Sequence, residues 1–246
     1  MSIECESDLT GLTRVGKVVR RALEEMERQV RAGLTTAELE AVGAEVLRKH
    51  GARSAPQHHY GFPGTIIISV NDEAVHGIPG KRRLRAGDLV KLDVTAELDG
   101  YIADAAITVG VAPVSVLKQD LCRSTEAAFW KAMETVTVGR PVRDIGRAVE
   151  GEARRRGFRV IRELSGHGVG RAIHEEPTVP NYYEPRLRDR LTEGLVLTIE
   201  PILCTGAGRV TLAADGWTVR TTDGSPSAHY EHTLVVTKEK PILLTA

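Results

Sequence analysis

Apolar residues recur at three- and four-residue steps between Thr10 and Arg31, at Val15, Val18, Val19, Leu23, Met26 and Val30, and predict an amphipathic helix that ends at Gly33. Thr36 stands where it would cap a second helix, with Leu39, Val42, Val46 and Leu47 on its apolar side and Gly51 just beyond its end. The β-branched run from Thr65 to Ser69, after the Gly61-Phe62-Pro63-Gly64 turn, reads as a strand. Leu89–Ala96 and Tyr101–Val109 are two further strands, and the Asp99-Gly100 pair between them signals a tight hairpin. Ser115 then caps a long helix reaching about Val138, with Leu117, Leu121, Ala128 and Met133 facing inward, and Pro141 opens another that runs to about Arg156. Strands are expected at Phe158–Glu163, Leu195–Ile199 and Tyr230–Thr237.

The order helix, helix, strands thus occurs twice, over 10–110 and 115–240, with little residue-level repetition. It predicts an α+β fold of two similar halves meeting at a shared cavity, within one domain that spans 1–246. The stretch from Glu175 to Arg190, with Pro177, Pro180 and Pro185, reads as a surface flap or rim.

Composition narrows the partners. Lys plus Arg and Asp plus Glu are both 33, so no global field draws the chain to nucleic acid or anionic lipid. Cys5, Cys122 and Cys204 are far apart and form no Cys-x-x-Cys pair, which argues against a disulfide framework or a thiolate zinc site and suits a reducing compartment. The first ten residues are acidic where a signal peptide is basic, and no run of about 18 apolar residues occurs. A cytoplasmic protein without membrane association is expected.

The chemistry concentrates in acidic residues set in apolar strands. Asp93 lies between Leu92 and Val94, and Asp104 between Ala103 and Ala105. Burying an unpaired carboxylate costs several kcal/mol, and a cation is the natural compensation. If Asp99-Gly100 is a two-residue loop, the odd separation places both aspartates on the same face of neighbouring strands, diagonally. Glu200 ends the apolar run Leu195–Ile199, Glu231 precedes Thr233-Leu234-Val235-Val236, and His167 sits among glycines in Gly166-His167-Gly168-Val169-Gly170. Each alone reads equally as a salt-bridged or satisfied structural group. As a set, four carboxylates and one imidazole suit two divalent ions drawn from Co²⁺, Mn²⁺, Fe²⁺ or Zn²⁺. Such a centre hydrolyses amides, with a bridging hydroxide attacking the carbonyl; a phosphatase would use similar ligands, but no phosphate-binding loop is present.

Several segments together resemble the type I methionine aminopeptidases. They are Asn71–Pro79, Val90–Val94, Asp99–Asp104, Ser165–Gly170, His174–Pro177, Thr198–Pro201 and Ser227–Thr233, and they follow the family's order through nearly the full length. The resemblance implies the creatinase-like pita-bread fold, with pseudo-two-fold halves and a central antiparallel sheet covered by helices. It implies that Asp93 is a bidentate ligand of one ion, that Asp104 and Glu231 bridge the pair, and that His167 and Glu200 complete the second ion. His76 and His174 would line the cleft and stabilise the tetrahedral intermediate, and Glu200 would shuttle the proton. Tyr60, Phe62 and Trp217 would form the slot for the methionine side chain. The implied partners are a peptide or nascent-protein N-terminus with a small second residue and, transiently, the ribosome, the enzyme itself being a monomer.

Three positions depart from the family's pattern: Ala105 after the second aspartate removes a hydroxyl near the site, Ile173 replaces an aromatic residue, and Ile67-Ile68 stand where a cysteine is common. A prolidase or Xaa-Pro aminopeptidase shares the ligand order, although such enzymes often carry an additional N-terminal domain. A non-catalytic nascent-chain-binding protein is the alternative from another class.

Overall fold

The computed structural model describes residues 1–246. The first half contains α1 (Glu6–Gln29), α2 (Thr36–Lys49), β1 (Arg53–Ser54), α3 (Ala55–Tyr60), β2 (Ile67–Val70), β3 (Glu73–Val75), β4 (Leu89–Leu98) and β5 (Tyr101–Gly110). The second contains α4 (Val116–Met133), α5 (Arg143–Arg155), β6 (Arg159–Val160), β7 (Ser165–Gly168), β8 (Glu175–Pro180), β9 (Val196–Ile199) and β10 (Ile202–Cys204). It closes with β11 (Val210–Leu212), β12 (Val219–Thr221), β13 (Ser227–His229), β14 (Glu231–Val235) and β15 (Ile242–Leu243).

One nine-stranded antiparallel sheet runs through both halves in the order β1-β4-β5-β14-β9-β7-β8, with β2 also on β4 and β15 also on β14. The helix pair α1 and α2 packs on β4 and β5, burying Val15, Val19, Leu23, Met26, Leu39 and Leu47 against Val90, Leu92 and Val94. The pair α4 and α5 covers the other half, with Leu121, Phe129, Ile145 and Val149 against Leu197, Ile199 and Leu234. Each such side chain removed from water contributes about 1.5–3 kcal/mol before chain entropy is counted, so the two helix layers fix the sheet from one side. The opposite side of the sheet stays free to line a cleft.

Local signals act as read at most boundaries. Thr35, one residue before the expected cap, opens α2 with a capping box: its hydroxyl accepts from the Glu38 amide, and the Glu38 carboxylate accepts from the Thr35 amide at 2.8 Å. Gly51 follows α2 in the left-handed region at φ 70°. Asp99 and Gly100 both have positive φ and join Leu98 directly to Tyr101, the two-residue hairpin that fixes the β4–β5 register.

Other boundaries differ. The first helix starts at Glu6, where Asp8 accepts the Glu4 amide, and ends in extended backbone at Val30 rather than at Gly33. The fourth stops at Met133, not Val138, and Leu117 is 55% exposed rather than inward because it lies on the solvent side of the first turn. The proline-rich stretch is not a flap throughout. Its first part is β8, an edge strand on β7, where prolines are tolerated because one side of the backbone needs no ladder partner.

Candidate metal centre

Alternation along β4 sends Val90, Leu92 and Val94 into the core under α1, and turns Asp93 and Thr95 into a cleft of about 520 Å³ on the far side. On β5, Asp104 stands across from Thr95 while Asp93 stands across from Ala106, so the aspartates share a face and lie on a diagonal. Ala106 is also the partner of Glu231, the first residue of β14, which brings a third carboxylate to the same face. Glu200 follows the last residue of β9, and His167 comes from β7. Strand β7 can approach this closely because a Cβ at Gly166 would collide with the Thr198 carbonyl.

All five residues therefore meet. Donor atoms of Asp104, His167 and Glu231 lie within 4.8 Å of one another, and His167 Nε2 is 3.5 Å from Glu200 Oε1. Asp93, Asp104, Glu200 and Glu231 are each less than a tenth exposed. No Lys or Arg lines the cleft, and the buried oxygens Asp93 Oδ1, Asp104 Oδ1 and Glu231 Oε1 receive no hydrogen bond.

The electrostatics follow from that crowding. Burial, reinforced by the Asp104 charge, holds the Asp93 carboxyl well above the usual carboxylate range. Burial lifts Asp104 to about 6, against the stabilising Thr95 hydroxyl. Glu200 and Glu231 are raised by burial first and by the neighbouring aspartates second. His167 is shifted down by burial, hence neutral, and since a carbonyl only accepts, its Nδ1 must be the donor in the 3.0 Å bond to Gly168 O. Its Nε2 then presents a lone pair to the carboxylates. An imidazole lone pair and several donorless carboxylate oxygens, buried without a counter-charge, fit divalent cations and fit little else.

A supporting layer holds these groups. Thr198 Oγ1 accepts the His167 amide at 3.2 Å and donates to Glu200 Oε1 at 3.3 Å. Thr233 Oγ1 bonds both backbone atoms of Asp104, accepting from N at 2.9 Å and donating to O at 2.8 Å. Asn181 Nδ2 donates to the Glu200 carbonyl at 2.8 Å.

His76 and His174 both line the cleft, as expected. The His174 ring packs 4.4 Å from that of His167, and its Nδ1 lies 2.9 Å from the Tyr60 hydroxyl. Both have lowered pKa values, from desolvation first and from a neighbouring imidazole second. Of the three aromatic residues, Phe62 is buried and meets Trp217 edge to face at 5.3 Å, while Tyr60 is half exposed at the mouth. Ile67 and Ile173, two of the departures noted above, also line the cleft.

One residue of the site was missed in the sequence. His229 is buried, with Nε2 3.3 Å from Glu231 Oε2, and burial pushes its pKa down to about 3. It lies two residues before Glu231, and its segment was visible, but nothing in its spacing separated it from His232, which points away to bond Thr245 at 2.9 Å. A second cluster, His58, His59 and Glu97, also comes within ligand distance at the surface. Arg53 already donates to that glutamate at 2.7 Å, which disfavours a cation there.

The sequence profile described as metallopeptidase family M24 matches residues 10–238. The chain therefore belongs to metallopeptidase family M24, in its methionine aminopeptidase branch. It is 43% identical to the protein named methionine aminopeptidase 2 of Bacillus subtilis (strain 168), over 100% of this chain and 99% of that one. The crystal structure of methionine aminopeptidase from Rickettsia prowazekii superposes with a TM-score of 0.96 at 35% identity, covering 100% of both chains. More remotely, prolidase from Pyrococcus furiosus shares the fold with a TM-score of 0.80 at 20% identity, the chain spanning 65% of its length. The pita-bread architecture read from the motifs is the one observed.

Proposed function

We propose that this chain removes the N-terminal methionine from peptides and nascent proteins whose second residue is small, with residues 1–246 acting as one catalytic unit. The observation that supports it most is the convergence of Asp93, Asp104, His167, Glu200 and Glu231 in one cleft that Tyr60, Phe62 and Trp217 also line. These five residues would hold two divalent ions, of Co²⁺, Mn²⁺, Fe²⁺ or Zn²⁺. When bound, the ions supply Lewis-acid polarisation of the scissile carbonyl and a water acidic enough to react near neutral pH.

The chain's own groups do the rest. Phe62, Trp217 and Tyr60 take the flexible thioether side chain, excluding water from it. With Nδ1 engaged by Tyr60, His174 has Nε2 left for the substrate, and its low pKa keeps it a neutral hydrogen-bond donor, as does that of His76. Both would donate to charge developing on the carbonyl oxygen. Glu200, whose Oε1 lies 3.5 Å from His167 Nε2 in the same cleft, would take a proton from the attacking water and return it to the leaving amine.

Methionine release from Met-Ala-Ser by protein reconstituted with each metal tests the reading. Acetyl-Met-Ala-Ser should be inert, and equal turnover of the two would defeat the proposed recognition of the free amine. A prolidase activity, favoured by none of the close relatives, would instead cleave Ala-Pro. No helix is long and apolar enough to cross a membrane; together with three unpaired cysteines this supports a cytoplasmic setting. A monomer that meets the ribosome transiently completes the proposal.

A further inference from the structure

Lys91 is among the largest fully buried side chains in the molecule, and it lies on the cleft face of β4, two residues from Asp93. Its ammonium meets no carboxylate. Nζ donates instead to Asn71 O at 2.7 Å, Ser227 O at 3.0 Å and Ser227 Oγ at 3.2 Å. Three donors find three acceptors, all of them neutral. A buried ion so placed is a poor device for stability alone, since a well-packed apolar side chain would avoid the desolvation.

The acceptors suggest what it does. Asn71, at φ 57°, opens the segment that runs through β3 to His76, itself at φ 58°. Ser227 opens β13, which carries His229, and the Thr108 hydroxyl donates to the His229 carbonyl at 2.8 Å. The Asn71 carbonyl also accepts from the Ser227 amide at 3.0 Å and the Ser227 hydroxyl at 3.1 Å. One ammonium therefore ties together two segments distant in sequence, each of which delivers a histidine to the cleft. The ligands Asp93, Asp104 and Glu231 are placed independently by the β4–β5–β14 ladder.

We propose that Lys91 is a positioning residue which, through the carbonyls of Asn71 and Ser227, holds His76 and His229 at the reacting end of the cleft. The inference rests on the methionine-releasing activity proposed above. Lys91→Met removes the donors while keeping length and burial. Its kcat on Met-Ala-Ser should fall on the order of ten- to hundredfold, because displacements near 1 Å carry penalties of that size. KM and bound metal per chain should stay within about twofold of wild type, as the side-chain slot and the ligand ladder do not depend on this lysine. Lys91→Gln, which keeps an N–H donor, should recover part of the lost kcat and carries the test if Lys91→Met does not fold. A kcat within twofold of wild type in the variant that folds, or a loss that tracks metal content, would overturn the positioning role. Wild-type protein that fails to release methionine would overturn the activity itself, a separate result.

Discussion

Replacing Asp104 with asparagine should stabilise the metal-free protein at neutral pH while destroying its activity. The Asp104 carboxyl is raised from 3.8 to about 6 on folding, so the folded state holds that proton more tightly than the unfolded chain does. Its contribution is fully present below the unfolded value and is lost as pH rises through the folded one. At about 1.4 kcal/mol per pH unit, the loss is roughly 3 kcal/mol by neutral pH. Asparagine has no such titration, and it relieves Asp93, Glu200 and Glu231, each of which Asp104 repels. Urea denaturation in chelator, from about pH 4 to about pH 7.5, measures the difference between the two proteins, in which the buried histidines common to both largely cancel. The gap should open with rising pH in favour of Asp104→Asn. Added Mn²⁺ should largely close the gap, since a ligand at a hundred times its Kd contributes about 2.7 kcal/mol to the form that binds it. A pH-independent difference in chelator, or an asparagine variant less stable than wild type near pH 7, would refute the claim that burial holds the Asp104 carboxyl above its ordinary value.

Three other outcomes follow from the same geometry. Glu200→Gln should keep the fold and lower kcat by a factor on the order of 10²–10⁴, the usual size of a general acid–base contribution; undiminished turnover in single-turnover assays would reject its proton-transfer role. Phe62→Ala, which strips a buried wall of the slot, should reduce kcat/KM for a methionyl peptide by roughly 30- to 100-fold, corresponding to about 2–3 kcal/mol of lost apolar contact, and the methionine-to-alanine preference should narrow with it. Thr35→Ala breaks the α2 capping box and should cost about 1 kcal/mol in a melting experiment with kcat unchanged.

Much of this was legible because the signals are local. The Asp99-Gly100 turn set the register, and register alone put Asp93 and Asp104 on one face. Helix faces were readable from periodicity, except at Leu117, where an apolar residue in the first turn of α4 lies outside the stripe. What stayed hidden depends on partners distant in the chain. His229 and His232 look alike in sequence, and only the pairing of β13 with β10 and of β14 with β9 decides which enters the cleft. Thr198, Thr233 and Asn181 carry no spacing that marks them as supports. The edge strand β8 was obscured by its prolines, which argue against a central strand but are compatible with a border.

The position of β14 has a consequence for biogenesis. It lies between β5 and β9 in the middle of the sheet, and the Asp104–Thr233 bonds span 129 residues. Until residue 235 has been synthesised, the β5 edge of the hairpin carrying two of the acids has no strand to pair with, and Glu231 is missing from the cleft. The five-residue cluster can therefore be completed only after most of the chain has been translated, when a late strand threads into the centre of the sheet.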